Sequence, residues 1–332
     1  YYIILDEIQL VKDFEYVLNS YLYENNMDVY VTGSNSKFLS SDIITEFRGR
    51  GDEIRVFPLS FKEFMEVYPK NKYDGWSEYL LYGGMPLIIS KKSDEEKSKY
   101  LKDLFTQTYI KDIVERNNIQ RVDILDSMIN MLASSVGSLT NPQKMYNAFL
   151  STGEKKLSNV TVTTYLKNIE DAFIVNKSER YDVKGKKYIN SPYKYYFEDI
   201  GLRNARLNFR QIDKGHIMEN IIYNELLRRG YNVDVGVVEV NETNESGSNT
   251  KPKYEVDFVC NQGNKRIYVQ SAYEMRDPEK EYQERKSLLN INDSFKKIII
   301  LGDVSKPRMD ENGIITMGIF YFLLNEDSLD QC

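Results

Sequence analysis

The sequence has very few of the residues from which metal centres and disulfide frameworks are built. It contains one histidine, His216, and two cysteines, Cys260 and Cys332, in 332 residues. A structural zinc site takes about four such ligands, and a disulfide framework needs several cysteines at short spacings. The composition therefore argues against both, and the scarcity of cysteine predicts a reducing, cytoplasmic location.

Long apolar runs and an excess of positive charge are also missing. No run approaches the ~20 apolar residues that cross a bilayer, so no membrane partner is expected. The formal net charge is -6, and any contact with nucleic acid must therefore come from a local basic patch. Apolar residues make up 41% of the chain, which is enough to fill two or three separate cores at this length.

One functional sequence motif is absent as well. The phosphate-binding loop G-x-x-x-x-G-K-[ST], whose backbone amides and lysine hold the phosphates of a nucleotide, occurs nowhere in the sequence. The chain opens with Tyr1–Leu5, an apolar run of the kind found in buried parallel strands. We therefore expect the chain to be a piece of a longer protein.

The order of the predicted elements indicates a multidomain protein with α/β and α+β parts. Strands at Tyr1–Leu5, Val29–Thr32 and Glu53–Phe57 alternate with helices, which is typical of a parallel sheet. Ser60 followed by Glu63 predicts a capped helix start. The predicted regions are 1–60, a partial parallel sheet; 61–135, a helical lid or linker; 136–195, a winged helix; and 196–332, an α+β domain.

Two carboxylates follow the first strand directly. At the carboxyl end of a buried strand Asp6 can hold the water shell of a magnesium ion, and Glu7 can polarise an attacking water. A strand that ends in two acids by chance is the alternative interpretation. The polar residues Ser34 and Asn35 after the second strand favour a phosphate-sensing role. The guanidinium groups that follow, on Arg48 and Arg50, could contact a phosphate.

A basic stretch follows a predicted helix in the third region. The segment from residue 177 to residue 194 contains six basic residues and two acidic residues, Glu179 and Asp182. Together with polar residues of the helix, this pattern predicts contact with the phosphates of double-stranded DNA. The alternative is a packing module with a solvated charged face. The predicted contacts are Thr161, Thr164, Lys167, Lys177, Arg180, Lys184, Lys186 and Lys187; the sixth basic residue of the stretch is Lys194.

Several segments of the chain resemble a family of prokaryotic AAA-type ATPases that carry a helix-turn-helix and a nuclease-like region. They are Tyr2–Gln9, Val31–Ser36, Phe47–Arg50, Pro58–Phe64, Tyr82–Pro86, Asp199–Ala205, Glu219–Asn220 and Glu255–Val259. The resemblance implies that the parent protein binds and hydrolyses ATP with magnesium held by Asp6. Because the phosphate-binding loop is missing, we expect this chain itself not to bind ATP tightly.

The resemblance also implies a fold like that of the PD-(D/E)XK nucleases at the end of the chain. Glu219 is then the helical acid, Glu255 and Asp257 lie on the first strand of a hairpin, and Gln270 lies on the second. The family pattern puts a lysine where this chain has Ala272, so we expect a nuclease-like fold without robust cleavage. The alternative function is a nucleotide-independent module that binds DNA or protein; a protein partner and a homo-oligomer both stay open.

Overall fold

A computed structural model describes residues 1–8, 11–24, 26–33, 51–154, 156–243, 249–275, 277–303 and 305–330. The strands are β1 (Tyr2–Leu5), β2 (Asp28–Val31), β3 (Val175–Asp182), β4 (Lys187–Phe197), β5 (Asn232–Glu239), β6 (Glu242–Thr243), β7 (Asn249–Thr250), β8 (Lys253–Gln262), β9 (Lys265–Ala272), β10 (Lys296–Leu301), β11 (Arg308–Met309) and β12 (Ile314–Gly318). The helices are α1 (Phe14–Tyr21), α2 (Phe61–Val67), α3 (Lys72–Tyr82), α4 (Asp94–Leu104), α5 (Lys111–Arg116), α6 (Val122–Ser134), α7 (Pro142–Ser151), α8 (Asn159–Asp171), α9 (Ile200–Arg206), α10 (Lys214–Arg228), α11 (Pro278–Leu289) and α12 (Ile319–Leu324). None of the helices in these described ranges is long and apolar enough to span a membrane.

The strands form one large mixed sheet and two small ones. The large sheet has eight strands in the order β11-β12-β10-β9-β8-β5-β3-β4. Strands β9, β10 and β12 run parallel to one another, whereas β5, β8 and β9 are antiparallel neighbours. The pair β1–β2 is parallel, as predicted for the first region, and β6–β7 is a short antiparallel pair. The fold is therefore a mixed α/β architecture.

The hairpin predicted as a wing is part of the large sheet. Strand β3 pairs with β4 on one side and runs parallel to β5 on the other, where Arg180 lies opposite Val235. The hydroxyl of Ser178 is fully buried and donates to the carbonyl of Val233 at 3.0 Å. The predicted boundary at residue 195 falls inside β4, because the backbone groups of β3 find their partners on the strand beyond it.

The first two helices of the helical region, α2 and α3, pack against α12. Ser60 caps α2 and exchanges hydrogen bonds with Glu63, so the predicted capping box is confirmed. Phe61 of α2 and Trp76 of α3 lie against Phe320 of α12, with ring centroids 6.1 and 6.0 Å from that of Phe320 and 5.4 Å from each other. The end of the chain thus closes over the helices that follow the first region, and the two share one apolar core.

The third predicted strand, Glu53–Phe57, is not a strand in the structure. This segment instead is anchored through Arg55, whose guanidinium lies 4.8 Å from the ring of Phe57 and 5.1 Å from that of Phe173. The same group forms an ion pair with Glu198 at 2.8 Å and a hydrogen bond to Asn176. The prediction was wrong because side-chain contacts to the large sheet, rather than a backbone ladder, hold this segment.

We expect the β1–β2 pair to be the least protected part of the described sheet structure. One face of the pair is covered by Phe14 and Leu18 of α1, while Tyr2 and Ile4 on the other face are 77% and 74% exposed. Two-stranded sheets with a single covered face have marginal stability. Native-state hydrogen exchange should be faster in β1 and β2 than in β8 and β9, and the reverse order would contradict this expectation.

Candidate functional site

The two carboxylates predicted at the end of the first strand lie beside the end of the second strand. Leu5 is paired with Val31, so Asp6 and Thr32 both leave the carboxyl edge of a parallel pair. The hydroxyl of Thr32 donates to the carboxylate of Asp6 and accepts the backbone N–H of Glu7 at 3.0 Å. Ligands of open α/β sheets bind at the carboxyl ends of the strands, which is where these polar groups lie.

Glu7 has a backbone conformation that turns the chain sharply away from the strand. Its φ is 48°, in the left-handed region that few residues other than glycine adopt. Ile8 then returns to the apolar cluster under α1, where its N–H donates to the carbonyl of Thr32. Ser34, Asn35, Arg48 and Arg50, the other predicted nucleotide-site residues, lie outside the described residues. Thr32 was missed, although a hydroxyl at the end of the second strand was visible in the sequence.

The predicted DNA-contacting residues of α8 lie on two different parts of its surface. Thr164 and Lys167 are exposed, with Thr163 on the same side. Thr161 is half-buried, and its N–H and hydroxyl are bonded to Ser158, the residue that caps the helix. The opposite face packs into the core through Val162, Tyr165, Leu166 and Ile169.

The basic stretch divides into exposed lysines at the hairpin turn and engaged residues farther along the strands. Lys184, Lys186 and Lys187 are exposed, although Lys184 donates to the carbonyl of Glu239 at 2.7 Å. Lys177 forms an ion pair with Glu179 at 3.0 Å and lies 4.8 Å from the ring centroid of Tyr193. Arg180 is half-buried between β4 and β5. A continuous basic surface is therefore limited to the turn.

The four residues predicted as a nuclease-like remnant come together beneath α10. Glu219 projects from α10, Glu255 and Asp257 from β8, and Gln270 from β9. Between the three carboxylates lies the ammonium of Lys194, from β4, at 2.9 Å from Glu219, 2.7 Å from Glu255 and 3.6 Å from Asp257. We call these four charged residues the Lys194 centre.

Lys194 was counted in the sequence as part of a surface basic patch, and the structure corrects this. It is only 3% exposed. The only sequence signal for its position was its place in β4, where the buried residues Tyr195, Tyr196 and Phe197 follow directly. The basic residues of the β8–β9 hairpin, Lys265 and Arg266, lie at the far end of β9 from the centre.

Burial and charge act in opposite directions in the Lys194 centre. Burial lowers the pKa of Lys194, but the nearby carboxylates of Glu219, Asp257 and Glu255 outweigh it, so the pKa is raised and the ammonium stays charged. Burial and the charge of Glu219 raise the pKa of Asp257 well above its ordinary value, despite the attraction of Lys194. Tyr196 donates its hydroxyl to Glu219 at 2.7 Å, and burial raises its pKa too.

The motif residues near Gly84 and Asp199 are structural. The carboxylate of Asp199 accepts the N–H groups of Leu202, as the cap of α9, and of Gly84 at 2.7 Å. Asn204 donates to the carbonyls of residues 80 and 81. The side chain of Asn220 forms two hydrogen bonds, both 2.7 Å long, with the backbone of Phe197. These side chains form the hydrogen bonds that buried backbone N–H and C=O groups need where helices and strands pack together.

The chain is similar to two recognised domains and to longer proteins. Residues 1–65 match the family model of an AAA domain, and residues 73–213 match a domain of unknown function, DUF8612. An uncharacterised protein of Haemophilus influenzae is 36% identical over 91% of this chain and 72% of its own length. The chain belongs to the same family. An uncharacterised protein of Methanocaldococcus jannaschii is 29% identical over 90% of the chain and 68% of its own length.

The two matched ranges cover different elements of the structure. The AAA match contains β1, β2, Asp6, Glu7 and the capped start of α2. The second match runs from α3 to Asp213 and contains the β3–β4 hairpin with Lys194. It ends just before α10, so the Lys194 centre combines a residue from this domain with three residues that follow it. The Lys194 centre therefore joins the matched range 73–213 to the residues that follow it.

Proposed function

We propose that this chain belongs to an ATPase in which Asp6 and Glu7 serve the hydrolytic site. The observation that carries the proposal is the arrangement of Asp6, Glu7 and Thr32 at the carboxyl edge of a parallel strand pair. The match of residues 1–65 to an AAA domain supports it. The upstream part of the longer protein would supply the phosphate-binding loop.

The donor set is suited to a hydrated magnesium ion bound with ATP. Asp6 is exposed at the strand end, and an oxygen ligand of this type holds magnesium through its water shell. Bound magnesium would neutralise charge that develops on the phosphates. Thr32 donates a hydrogen bond to the carboxylate of Asp6, and in this proposal Glu7 accepts a proton from the attacking water.

The test of this proposal uses the longer protein that includes the phosphate-binding loop. Glu7→Gln should lower kcat for ATP hydrolysis by roughly 100-fold or more while nucleotide binding persists, because only the proton acceptor is lost. Asp6→Asn should weaken magnesium-dependent binding. Glu15→Gln, an equal change at a half-buried position of α1, is the control. Unchanged turnover in Glu7→Gln, or micromolar nucleotide affinity of the 332-residue chain alone in calorimetry, would contradict the proposal.

We propose DNA binding as a second function, carried by the exposed lysines at the β3–β4 turn. Lys184, Lys186 and Lys187 project from this turn. Thr164 and Lys167 lie on the exposed face of α8, the helix that precedes β3. Lysines at such a turn can contact phosphates, and polar side chains on a helix can contact base edges. Within the hairpin this assignment favours the turn over Lys177, which is paired with Glu179, and over Arg180, which is half-buried.

Binding to a short duplex measured at several salt concentrations tests the DNA proposal. The double variant Lys186→Glu/Lys187→Glu should weaken binding and lower the salt dependence, since each lost phosphate contact reduces the slope of log K against log salt by about 0.9. Lys99→Glu/Lys102→Glu on α4 makes the same charge change elsewhere. Equal losses in both variants, or no binding at low salt, would count against a role for this turn.

A further inference from the structure

A divalent metal ion does not fit the Lys194 centre as it stands. Mg²⁺ and Ca²⁺ take oxygen ligands at about 2.0–2.6 Å. Here the oxygens of Glu219 and Glu255 converge on an ammonium at 2.9 and 2.7 Å. A metal ion among the same oxygens would meet the positive charge of Lys194 at close range. In the described part of the chain, no three His, Cys, Asp or Glu side chains are arranged to hold a metal ion.

The remaining groups of the centre are engaged by the protein itself. Asp257 accepts the N–H of Ser271 at 2.8 Å through its second oxygen. The amide of Gln270 accepts the N–H of Asp257 at 3.3 Å and donates to Glu284 of α11 at 3.1 Å. Metal ligation by Gln270 would therefore cost a buried hydrogen bond, which such groups seldom give up without a replacement.

The centre is also closed to a large substrate. Gly137 lies over Glu219, and a Cβ at this position would come within 3.2 Å of a carboxylate oxygen. Glu255 is the only one of the three acids whose side chain is substantially exposed, at 36%. Ala272 stands where the PD-(D/E)XK nuclease pattern has a lysine, and it is buried among the apolar residues under α11. A DNA phosphate therefore has no approach to all three carboxylates.

We infer that Lys194 acts as a built-in cation that takes the place of a divalent metal ion. The ammonium offsets part of the negative charge of the carboxylates and ties β4 to β8 and α10, and in doing so it keeps the centre free of metal. Removing the ammonium without adding bulk would leave the oxygens of three carboxylates around the vacated position, and these oxygens should then be able to draw together around a divalent cation. In this proposal a nuclease-like arrangement of acids serves as a structural ion-pair network that holds β4 against α10 and β8.

The wild-type chain provides the first half of the test. Titration with Mn²⁺, followed by electron paramagnetic resonance, should show no site tighter than roughly millimolar. The melting temperature should be the same in Mg²⁺, Mn²⁺ and EDTA. A tight Mn²⁺ site in the wild type that Glu219→Gln abolishes would overturn the inference.

Lys194→Ala provides the second half. This variant should gain one Mn²⁺ site, at least roughly tenfold tighter than any site in the wild type, and Mn²⁺ should raise its melting temperature. Adding Asp257→Asn should weaken the new site, and Lys177→Ala, on the preceding strand, should gain none. A Lys194→Ala chain that folds without gaining a site, or that stays unfolded even with Mn²⁺, counts against the inference.

Discussion

Replacing Lys194 with methionine should lower the free energy of unfolding by about 3–5 kcal/mol, the range measured when one partner of a buried ion pair is removed. Methionine keeps the volume and apolar stem of lysine, so the loss reports the ammonium rather than a cavity. Glu219, Glu255 and Asp257 would then share a site with no compensating charge. Urea unfolding at pH 7 and low salt gives the measurement.

Lys177→Met is the matched control, since Lys177 lies on the paired strand β3. Its ammonium contacts one carboxylate, that of Glu179, at a half-exposed position. An exposed pair of this kind contributes about 0–1 kcal/mol. Equal effects of the two substitutions would mean that the Lys194 centre contributes nothing special to stability.

The sequence predicted the helices and strands that have a strong period or a clear cap. The capped start of α2 and the hairpin of β8 and β9 are examples, because a cap and turn residues specify them locally. Strand β4 runs from Lys187 to Phe197 and crosses the predicted boundary at residue 195. Its last residues are an almost unbroken buried run without alternation, which local patterning does not assign to one element.

The contacts that join distant segments could not be read from the sequence. Arg55 reaches Glu198, 143 residues away, and Lys194 meets residues of α10 and β8. The aromatic residues that follow Lys194 were its only local signal, and the count of basic residues in the hairpin grouped it with the exposed lysines. The acids Glu219, Glu255 and Asp257 were found because a family pattern supplied their relative positions. The cation between them comes from outside that pattern.

Asp199→Ala is expected to cost about 2–4 kcal/mol at pH 7, the sum of a lost helix cap and a buried N–H without an acceptor. The side chain is 3% exposed and accepts from Gly84 and Leu202. Burial raises its pKa to about 6, although the N–H groups around it favour the charged form. Asp199→Asn should be milder, because the amide oxygen can still cap α9, although the NH₂ group cannot accept the N–H of Gly84.

The cost of Asp199→Ala should also depend on pH in a defined direction. A carboxyl whose pKa is raised in the folded state stabilises the fold fully below its unfolded pKa, and this contribution is lost as pH rises through about 6. Each pKa unit corresponds to about 1.4 kcal/mol. The wild type should therefore exceed Asp199→Ala by about 2 kcal/mol more at about pH 4.5 than at about pH 7.5.

Asp213→Ala is the control with the opposite sign, because Asp213 caps α10 at an exposed position. Partial burial raises its pKa, but its bonds with the N–H groups of His216 and Gly215 and the charge of His216 lower it overall. Its contribution is present above the unfolded pKa and is lost as pH falls. The cost of Asp213→Ala should thus shrink in acid while that of Asp199→Ala grows. Parallel pH dependences of the two variants would show that Asp199 is ionised throughout, and that burial does not control its charge.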